Sequence, residues 1–387
     1  MKTKEALVFG AGNIGRGFLG DLLNQSEYHI NFVDVDNNKV NLINQERNYT
    51  LITVSSDKKN ERKINSVNAI YFQDSDKIKT AVIDADIILT AVGKNALEYV
   101  AKPLAEGLLK RLKQRPNDEL HTIVLACENV QDNTAYLKEK ISKYLTGEET
   151  DLIENNISFP NCVVDRIVPN TTFEGLNVIV EEYFQFVIDA NVLKDTFPDI
   201  KGIILSSNLN SILEQKLFTL NMAHALTAYY GYLKKFNFIH EAVSDNNIRQ
   251  LLNGSLEEVS SVILERNSSI TAQEQIEYSN KIVKRFENPY LKDEITRVAR
   301  DPKRKLSKDD RLIKPARLSY EKDKLPVYLA TGIAAALHYD YTKDSQAVEI
   351  VNSIKERGLE IVLKEITGLG SNKLLDTVKS NYLFRSL

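Results

Sequence analysis

EALVFGAGNIGRGFLGDLL, residues 5–23, is an apolar run followed by a glycine-rich turn and a helix-like run. In this spacing the first glycine permits a tight turn, the second lets the backbone approach a pyrophosphate, and the third lets helix and strand pack closely. The helix N-terminus then faces the phosphates. We expect a strand at roughly 5–9 and glycines that bind a dinucleotide; glycines that serve turn geometry alone are the alternative. The expected cofactor contacts are Gly10, Ala11, Gly12, Asn13, Ile14 and Gly15.

A second apolar run, HINFVDVD, brings Asp34 to a position 19 residues after Gly15. A carboxylate at this place can accept hydrogen bonds from both hydroxyls of the adenosine ribose, and it would repel a 2′-phosphate. The nearby cations are Arg16 and Lys39, and neither directly follows Asp34. We therefore expect NAD rather than NADP.

Apolar and helix-like runs alternate along the first half of the chain. Strands are expected at 48–55, 61–72, 85–93 and 121–129, and an amphipathic helix at 95–112. This alternation predicts an α/β fold with a doubly wound parallel sheet of the Rossmann type. Ligands bind beyond the carboxyl ends of such strands, so Gly93 and the turn at Cys127, Glu128 and Asn129 are expected to face the cofactor.

The second half of the chain has a different pattern. Two further apolar runs, 161–169 and 176–188, are expected to extend the sheet. After that, helices are expected at 205–233, 239–265, 271–286, 290–300, 325–338 and 345–365. We place the domain boundary near residue 195, in KDTFPDIKG. An NAD-binding Rossmann domain would span 1–195, and a mainly α-helical substrate and catalytic domain would span 196–387.

The composition is that of an ordinary globular protein, with 387 residues of which 43% are hydrophobic and 27% charged. A net charge of −3 implies no general affinity for nucleic acid or anionic membranes. Cys127 and Cys162 are far apart in sequence, which argues against a disulfide framework or a CxxC metal site and fits a reducing cytosol. No apolar run reaches membrane-spanning length and no signal peptide precedes the first strand, so a soluble cytoplasmic protein is expected.

The run KLFTLNMAHALTAYYGYL, residues 216–233, contains no carboxylate and a single lysine, Lys216. At roughly 100° per residue, an α-helix places Lys216 within an apolar stripe, with His224 roughly 80° and Asn221 roughly 140° round. Desolvation lowers the pKa of a lysine and makes it able to act as a base near neutral pH. A lysine that reaches water from a core helix is the alternative.

A nicotinamide dehydrogenase must handle the proton of the reacting hydroxyl, and three solutions can be sought. A zinc site would need a Cys/His cluster, and the two cysteines and five histidines are dispersed. Tyr-x-x-x-Lys pairs occur in two charge-rich stretches typical of solvated helix faces, at Tyr136/Lys140 and Tyr320/Lys324. The third solution is a desolvated lysine beside hydrogen-bond donors, which Lys216, Asn221 and His224 offer.

The spacing Lys216-x4-Asn221-x2-His224 resembles the signature of the polyol-specific long-chain dehydrogenases. Further blocks resemble that family in the same order, as far as about residue 335: FGAGNIGRGF near the start, ACEN at 126–129, VDRIVP at 164–169, KLFTLN at 216–221, RFENPYLKD at 285–293 and RKLSKDDRLIKP at 304–315. The resemblance implies metal-independent interconversion of mannitol 1-phosphate and fructose 6-phosphate with NAD.

The resemblance also implies a catalytic role for four residues. Lys216 would be the general base that takes the hydroxyl proton during polyol oxidation. Asn221 and Asn129 would donate hydrogen bonds to the reacting oxygen and stabilise its alkoxide character. His224 would orient substrate hydroxyls or the oxygen itself.

Three further residues would bind the substrate by the same resemblance. Asp165 would bind hydroxyls or tune the lysine, and Arg297 and Lys305 would match the family's substrate-binding cations. Residues 297–317 hold nine Lys or Arg side chains, most of which must be solvated. A sugar phosphate needs cationic partners for its dianion, and this basic run can supply them.

Other readings stay open at this stage. A hexuronate reductase or a mannitol 2-dehydrogenase of the same family would keep Lys216, Asn221 and His224 and differ in the substrate cations. A non-catalytic dinucleotide-sensing protein would use the glycine-rich domain without chemistry. The sequence does not determine the oligomeric state.

The substitution Asp34→Ser should narrow the difference in kcat/KM between NAD and NADP. The expected cause is relief of the repulsion between the carboxylate and the 2′-phosphate. Steady-state kinetics of wild type and variant with both cofactors test this prediction. Equal wild-type efficiency with NAD and NADP would contradict it.

Overall fold

The computed structural model describes residues 4–55, 58–115, 122–169, 175–194 and 197–384. The chain forms two compact units, residues 1–209 and 210–387. Eleven strands are described, all in the N-terminal unit: β1 Lys4–Phe9, β2 Tyr28–Asp34, β3 Asn48–Val54, β4 Lys59–Asn65, β5 Val67–Tyr71, β6 Ile87–Thr90, β7 Ile123–Ala126, β8 Cys162–Asp165, β9 Val178–Glu181, β10 Gln185–Asp189 and β11 Ile203–Ser206.

A five-stranded parallel sheet of order β5-β2-β1-β6-β7 forms the centre of the N-terminal unit. Its central strand β1 is apolar on both faces, and Ala6, Leu7 and Val8 are fully buried. Such continuous apolar strands need helices on both faces. The helices of this unit are α1 Gly20–Gln25, α2 Asn37–Glu46, α3 Ser75–Asp84, α4 Leu97–Gln114, α5 Asn133–Ser142 and α6 Gly147–Asn156. The Rossmann-type fold predicted from the sequence is confirmed.

The predicted extension of this sheet is wrong, because the remaining strands form two three-stranded sheets, β4-β3-β9 and β11-β10-β8. The predicted strand 61–72 breaks at Ser66, which has a positive φ of 56°. Its first half, β4, turns back antiparallel onto β3, and β9 pairs with the other edge of β3. The run 176–188 likewise divides into β9 and β10, which join different sheets.

The two compact units divide between Leu209 and Asn210. Strand β11 still belongs to the N-terminal unit, because it pairs in parallel with β10. The predicted boundary near residue 195 falls at 195–196, outside the described residues. The helical region starts at Leu209 and not at the predicted residue 205.

The C-terminal unit is helical throughout its described part. Its helices, the first beginning one residue before the boundary, are α7 Leu209–Gln215, α8 Met222–Leu233, α9 Ile239–Ser244, α10 Asn246–Arg266, α11 Ala272–Phe286, α12 Ile295–Ala299, α13 Pro302–Lys305, α14 Ile313–Tyr320, α15 Val327–Leu337, α16 Ser345–Arg357, α17 Leu359–Thr367 and α18 Lys373–Phe384. A π-helical segment, Lys216–Asn221, joins α7 to α8. The predicted helix 290–300 is instead a 3₁₀ turn, Pro289–Leu291, followed by α12.

Helices α8 and α15 pack closely in the core of this unit. Gly332 makes the approach possible, because a Cβ at this position would overlap the side chain of Leu226. Across the described ranges, every helix is too short or too polar to cross a membrane.

Candidate active site

The glycine turn after β1 uses each of its three glycines for a different reason. Gly10 has a positive φ of 99°, and a Cβ there would also meet the carbonyl of Ala91. A Cβ on Gly15 would overlap the carbonyl oxygen of Gly10, so Gly15 lets the following helix begin directly against the turn. A Cβ on Gly12 would have no protein atom within 4 Å. The open space at Gly12 is the place where a ligand can approach the backbone.

Asp34 lies against this turn at the end of β2. Its Oδ2 accepts a hydrogen bond from the Ala11 amide (2.8 Å), and its Oδ1 accepts one from the Asp36 amide (2.9 Å). The Lys39 ammonium lies 3.4 Å from both carboxylate oxygens. Arg16 is buried and donates to backbone carbonyls, so it stays on the protein side of the turn. Of the other turn residues, Asn13 donates to the Pro169 carbonyl (3.2 Å) and Ile14 packs against the core.

The turns that follow β6 and β7 are joined by the buried carboxylate of Glu128. It accepts hydrogen bonds from the Thr90 hydroxyl (2.8 and 2.9 Å) and from the Val92 amide (3.0 Å). Burial raises the pKa of the Glu128 carboxyl, although these hydrogen bonds oppose the rise. Glu128 thereby holds Gly93 and Asn129 at the carboxyl edge of the sheet, where cofactors bind in this fold.

The segment that carries Lys216 is a π-helix. The Met222 amide donates to the carbonyl of Leu217, five residues earlier. The wider turn brings residues five apart onto the same face, so Lys216 and Asn221 share a face. The angle of roughly 140° expected for an α-helix is therefore wrong. Lys216 is 5% exposed and Asn221 is half-buried.

A buried amide holds this π-helical segment. Gln275 of α11 is fully buried, and its side-chain nitrogen donates to the hydroxyls of Thr219 (3.1 Å) and Ser260 (3.3 Å). Its side-chain oxygen accepts a hydrogen bond from Gln215 (2.9 Å), the residue before the segment. These bonds fix the π-helical segment at its start and in its middle.

His224, on the first turn of α8, belongs to a row of three charged or polar groups. Its Nε2 lies 2.8 Å from Asp293 Oδ2, and the other carboxylate oxygen accepts from Arg297 Nε at 2.8 Å. The imidazole also stacks on Phe286, with ring centroids 4.8 Å apart. Because Nε2 donates to the carboxylate, the neutral ring presents Nδ1 as an acceptor. A substrate hydroxyl can donate to that nitrogen.

The electrostatics of this row keep the histidine neutral and the carboxylate charged. Burial lowers the pKa of His224, with Arg297 adding to the effect and Asp293 opposing it. Burial alone would raise the pKa of the Asp293 carboxyl, but Arg297 and His224 hold it below its usual range. Asp293 was absent from the predicted site. The signal for it was its position four residues before Arg297.

The remaining predicted site residues differ from one another in their contacts and exposure. The Arg297 guanidinium is bound to Asp293. Lys305 is 3% exposed, and its ammonium donates to the Arg300 carbonyl. Asp165 is buried at the end of β8 and Asn129 is exposed after β7. Asp165 and Asn129 belong to the N-terminal unit, and their roles stay predictions.

The lysines of the two Tyr-x-x-x-Lys pairs make contacts that are common on protein surfaces and need no catalytic role. Lys324 is 54% exposed and pairs with Glu265 at 2.6 Å, and the Lys140 ammonium lies 4.7 Å from the centre of the Tyr136 ring. Over the part of the chain that the structure describes, no group of three or more His, Cys, Asp or Glu side chains is placed to hold a metal ion.

Comparisons with known proteins agree with this architecture. The family model of the mannitol dehydrogenase Rossmann domain matches residues 4–202, and that of the mannitol dehydrogenase C-terminal domain matches residues 208–382. The mannitol-1-phosphate 5-dehydrogenase of Thermoanaerobacter pseudethanolicus is 40% identical over 98% of this chain and 97% of its own length. That of Bacillus pumilus is 43% identical over 94% and 95%.

Two solved structures share the fold at low sequence identity. A D-sorbitol dehydrogenase superposes with a TM-score of 0.82 at 18% identity, covering 99% of this chain and 93% of its own. The Pseudomonas fluorescens mannitol 2-dehydrogenase, solved with NAD and D-mannitol, gives 0.79 at 16% identity, covering 100% and 92%. The chain belongs to the mannitol dehydrogenase family. It is a polyol dehydrogenase with an N-terminal Rossmann domain.

The three glycines should respond differently to alanine. Gly12→Ala should leave thermal stability unchanged and weaken NADH binding, because its Cβ enters the open space beside the turn. Gly10→Ala and Gly15→Ala should lower the melting temperature, because each Cβ meets a backbone carbonyl. Thermal melting and fluorescence titration with NADH measure both effects. Unaltered NADH affinity in Gly12→Ala would show that the ligand does not approach this backbone.

His224 should protonate below the ordinary histidine pKa of about 6.5. The folded protein then binds this proton less tightly than the unfolded chain, so acidification below about 6.5 works against folding. A ¹H–¹³C titration, with the resonance assigned by its loss in His224→Gln, measures the midpoint. Asp293→Asn should shift it further down, because the carboxylate favours the charged ring. A midpoint at or above 6.5 in the wild type would contradict the electrostatic account.

Proposed function

We propose that the protein interconverts D-mannitol 1-phosphate and D-fructose 6-phosphate with NAD and without a metal, with Lys216 as general acid and base. The observation that carries the mechanism is the π-helical segment, which puts buried Lys216 and Asn221 on one face and leads directly to His224. The substrate is supported by full-length relatives, 37–43% identical, that are named mannitol-1-phosphate 5-dehydrogenase. A cytoplasmic location belongs to the same proposal.

Each side chain has a defined step in this mechanism. The glycine turn and Asp34 would hold NAD, which would supply the hydride acceptor for the carbon being oxidised. Lys216, in its neutral form, takes the proton of the reacting hydroxyl, and as the ammonium it returns the proton in ketose reduction. The Asn221 amide donates to the reacting oxygen as negative charge develops on it. His224 accepts a hydrogen bond from a neighbouring hydroxyl through Nδ1.

The proposal also includes the other residues predicted from the sequence. Arg297 acts through Asp293, because its guanidinium is bound to the carboxylate that orients His224. Asn129 would donate to the reacting oxygen, and Asp165 would bind hydroxyls or tune the lysine. Residues 10–15, Asp34 and Gly93 would bind NAD.

A substrate panel tests the reaction. Oxidation of NADH is followed with fructose 6-phosphate, fructose and fructuronate. The proposal expects fructose 6-phosphate to be reduced most efficiently. A preference for fructose would indicate a mannitol 2-dehydrogenase, a preference for fructuronate would indicate a hexuronate reductase, and no turnover with any ketose would favour a non-catalytic dinucleotide sensor.

Lys216→Ala tests the proton transfer. Turnover should fall by about 10²–10⁴-fold, because the general base is removed. NADH binding and the circular dichroism spectrum should be retained. Polyol oxidation by the wild type should rise with pH as one group loses its proton, and this dependence should be absent from the residual activity of the variant.

The matched control is Lys355→Ala, which removes an exposed lysine from α16. It should keep the wild-type rate and pH profile. Near-normal turnover in Lys216→Ala with an unchanged pH profile would eliminate the lysine mechanism.

A further inference from the structure

Three cations lie close together just after α12. Arg304 and Lys305 belong to α13, and Arg311 begins the segment that leads to α14. Arg311 contacts Asp310 Oδ1 at 2.6 Å, and Arg304 lies 4.0 Å from the other oxygen of the same carboxylate. Arg304 is also 3.9 Å from Asp301. We call Arg304, Lys305 and Arg311 the cation triad.

The cation triad is short of negative charge. Among the described residues, the carboxylates within 4.0 Å of these side chains are Asp301 and Asp310, and Arg311–Asp310 is the one pair closer than 3 Å. Lys305 and Arg311 are 3% and 6% exposed. Within the described residues, no carboxylate lies within 4.0 Å of the Lys305 ammonium. Buried cations normally require paired anions, so this arrangement favours binding of a further anion.

The directions of the pKa shifts agree with this geometry. Burial lowers the pKa of Lys305 well below its ordinary value, and the nearby Arg311 and Arg304 lower it further. Burial, followed by repulsion from Arg311, also lowers the pKa of Arg304. An anion bound among the three groups would reverse the repulsive part of both shifts.

Two members of the triad lie near Tyr229, which follows His224 by five residues on α8. Helix α8 runs beside the segment 293–299, because His224 contacts Asp293 and the Tyr229 hydroxyl donates to the Ala299 carbonyl (3.0 Å). Burial raises the pKa of Tyr229, and Arg311 and Arg304 oppose that rise because they lie near its hydroxyl. From His224 to Tyr229 the helix rises about 7.5 Å. A six-carbon sugar phosphate held at His224 can therefore extend its phosphate end towards the triad.

We propose that Arg304, Lys305 and Arg311 bind the phosphate group of the substrate, a phosphomonoester dianion. This inference rests on the proposed function and assigns its phosphate contact. Guanidinium groups suit the task, because they bind phosphate oxygens in pairs through charge-assisted hydrogen bonds. Arg297, whose guanidinium binds Asp293, is not one of these three cations.

The test compares Arg304→Gln and Arg311→Gln with the control Lys308→Gln, which removes an exposed charge from the same stretch. The ratio of kcat/KM for fructose 6-phosphate to that for fructose should fall about ten- to hundredfold in both arginine variants. The loss should appear mainly as a higher KM for the phosphate ester. Lys308→Gln should keep the wild-type ratio.

One result would overturn the phosphate site: an unchanged ratio in Arg304→Gln, whether both activities are retained or both fall by the same factor. Arg304→Gln is decisive if Arg311→Gln does not fold, because the Arg304 side chain is 42% exposed. If the wild type reduces no ketose, the proposed function fails. Calorimetric titration with fructose 6-phosphate then decides the site separately, since equal affinity for wild type and Arg304→Gln would refute it.

Discussion

The hydrogen bond from the Met222 amide to the Leu217 carbonyl, five residues back, is the constraint on which the proposed catalytic arrangement depends. One extra residue in the turn changes the direction of every side chain before it relative to α8. Lys216 and Asn221 then share a face, which an uninterrupted α-helix would not allow. A π-helical turn is rare, so the surrounding protein must stabilise it, and Gln275 contributes through Thr219 and Gln215.

Carboxylates with little exposure organise the glycine turn and the surroundings of His224. Asp34 accepts the Ala11 amide and so joins the end of β2 to the glycine turn. Glu128 joins the turns after β6 and β7, and Asp293 joins His224 to Arg297. Each hydrogen bond to a charged group contributes about 1.5–3 kcal/mol. A buried carboxylate that lost its partners would be strongly destabilising, so each one also specifies the positions of the groups around it.

Local features of the fold were predictable where the residue types present suit only one local structure. The apolar run before Gly10 has to be a buried strand, and Gly10 itself is required by a positive φ. Strands β3, β4 and β9 were predictable as strands, yet their assignment to a separate sheet was not. Strand pairing depends on which edge is available in the folded protein, and the reversal at Ser66 decides it here.

The sequence by itself determined the chemical groups of the proposed site, because Lys216, Asn221 and His224 stand at fixed spacing on a run without carboxylates. It also determined the acidic residue expected at the ribose, because Asp34 ends the second strand. Only the tertiary structure decided how these groups are oriented. The π-helical turn is held by contacts from α11, and Asp293 reaches His224 from 69 residues away. Spacing along a chain specifies what a helix carries, whereas orientation and charge balance come from neighbours that only the fold brings together.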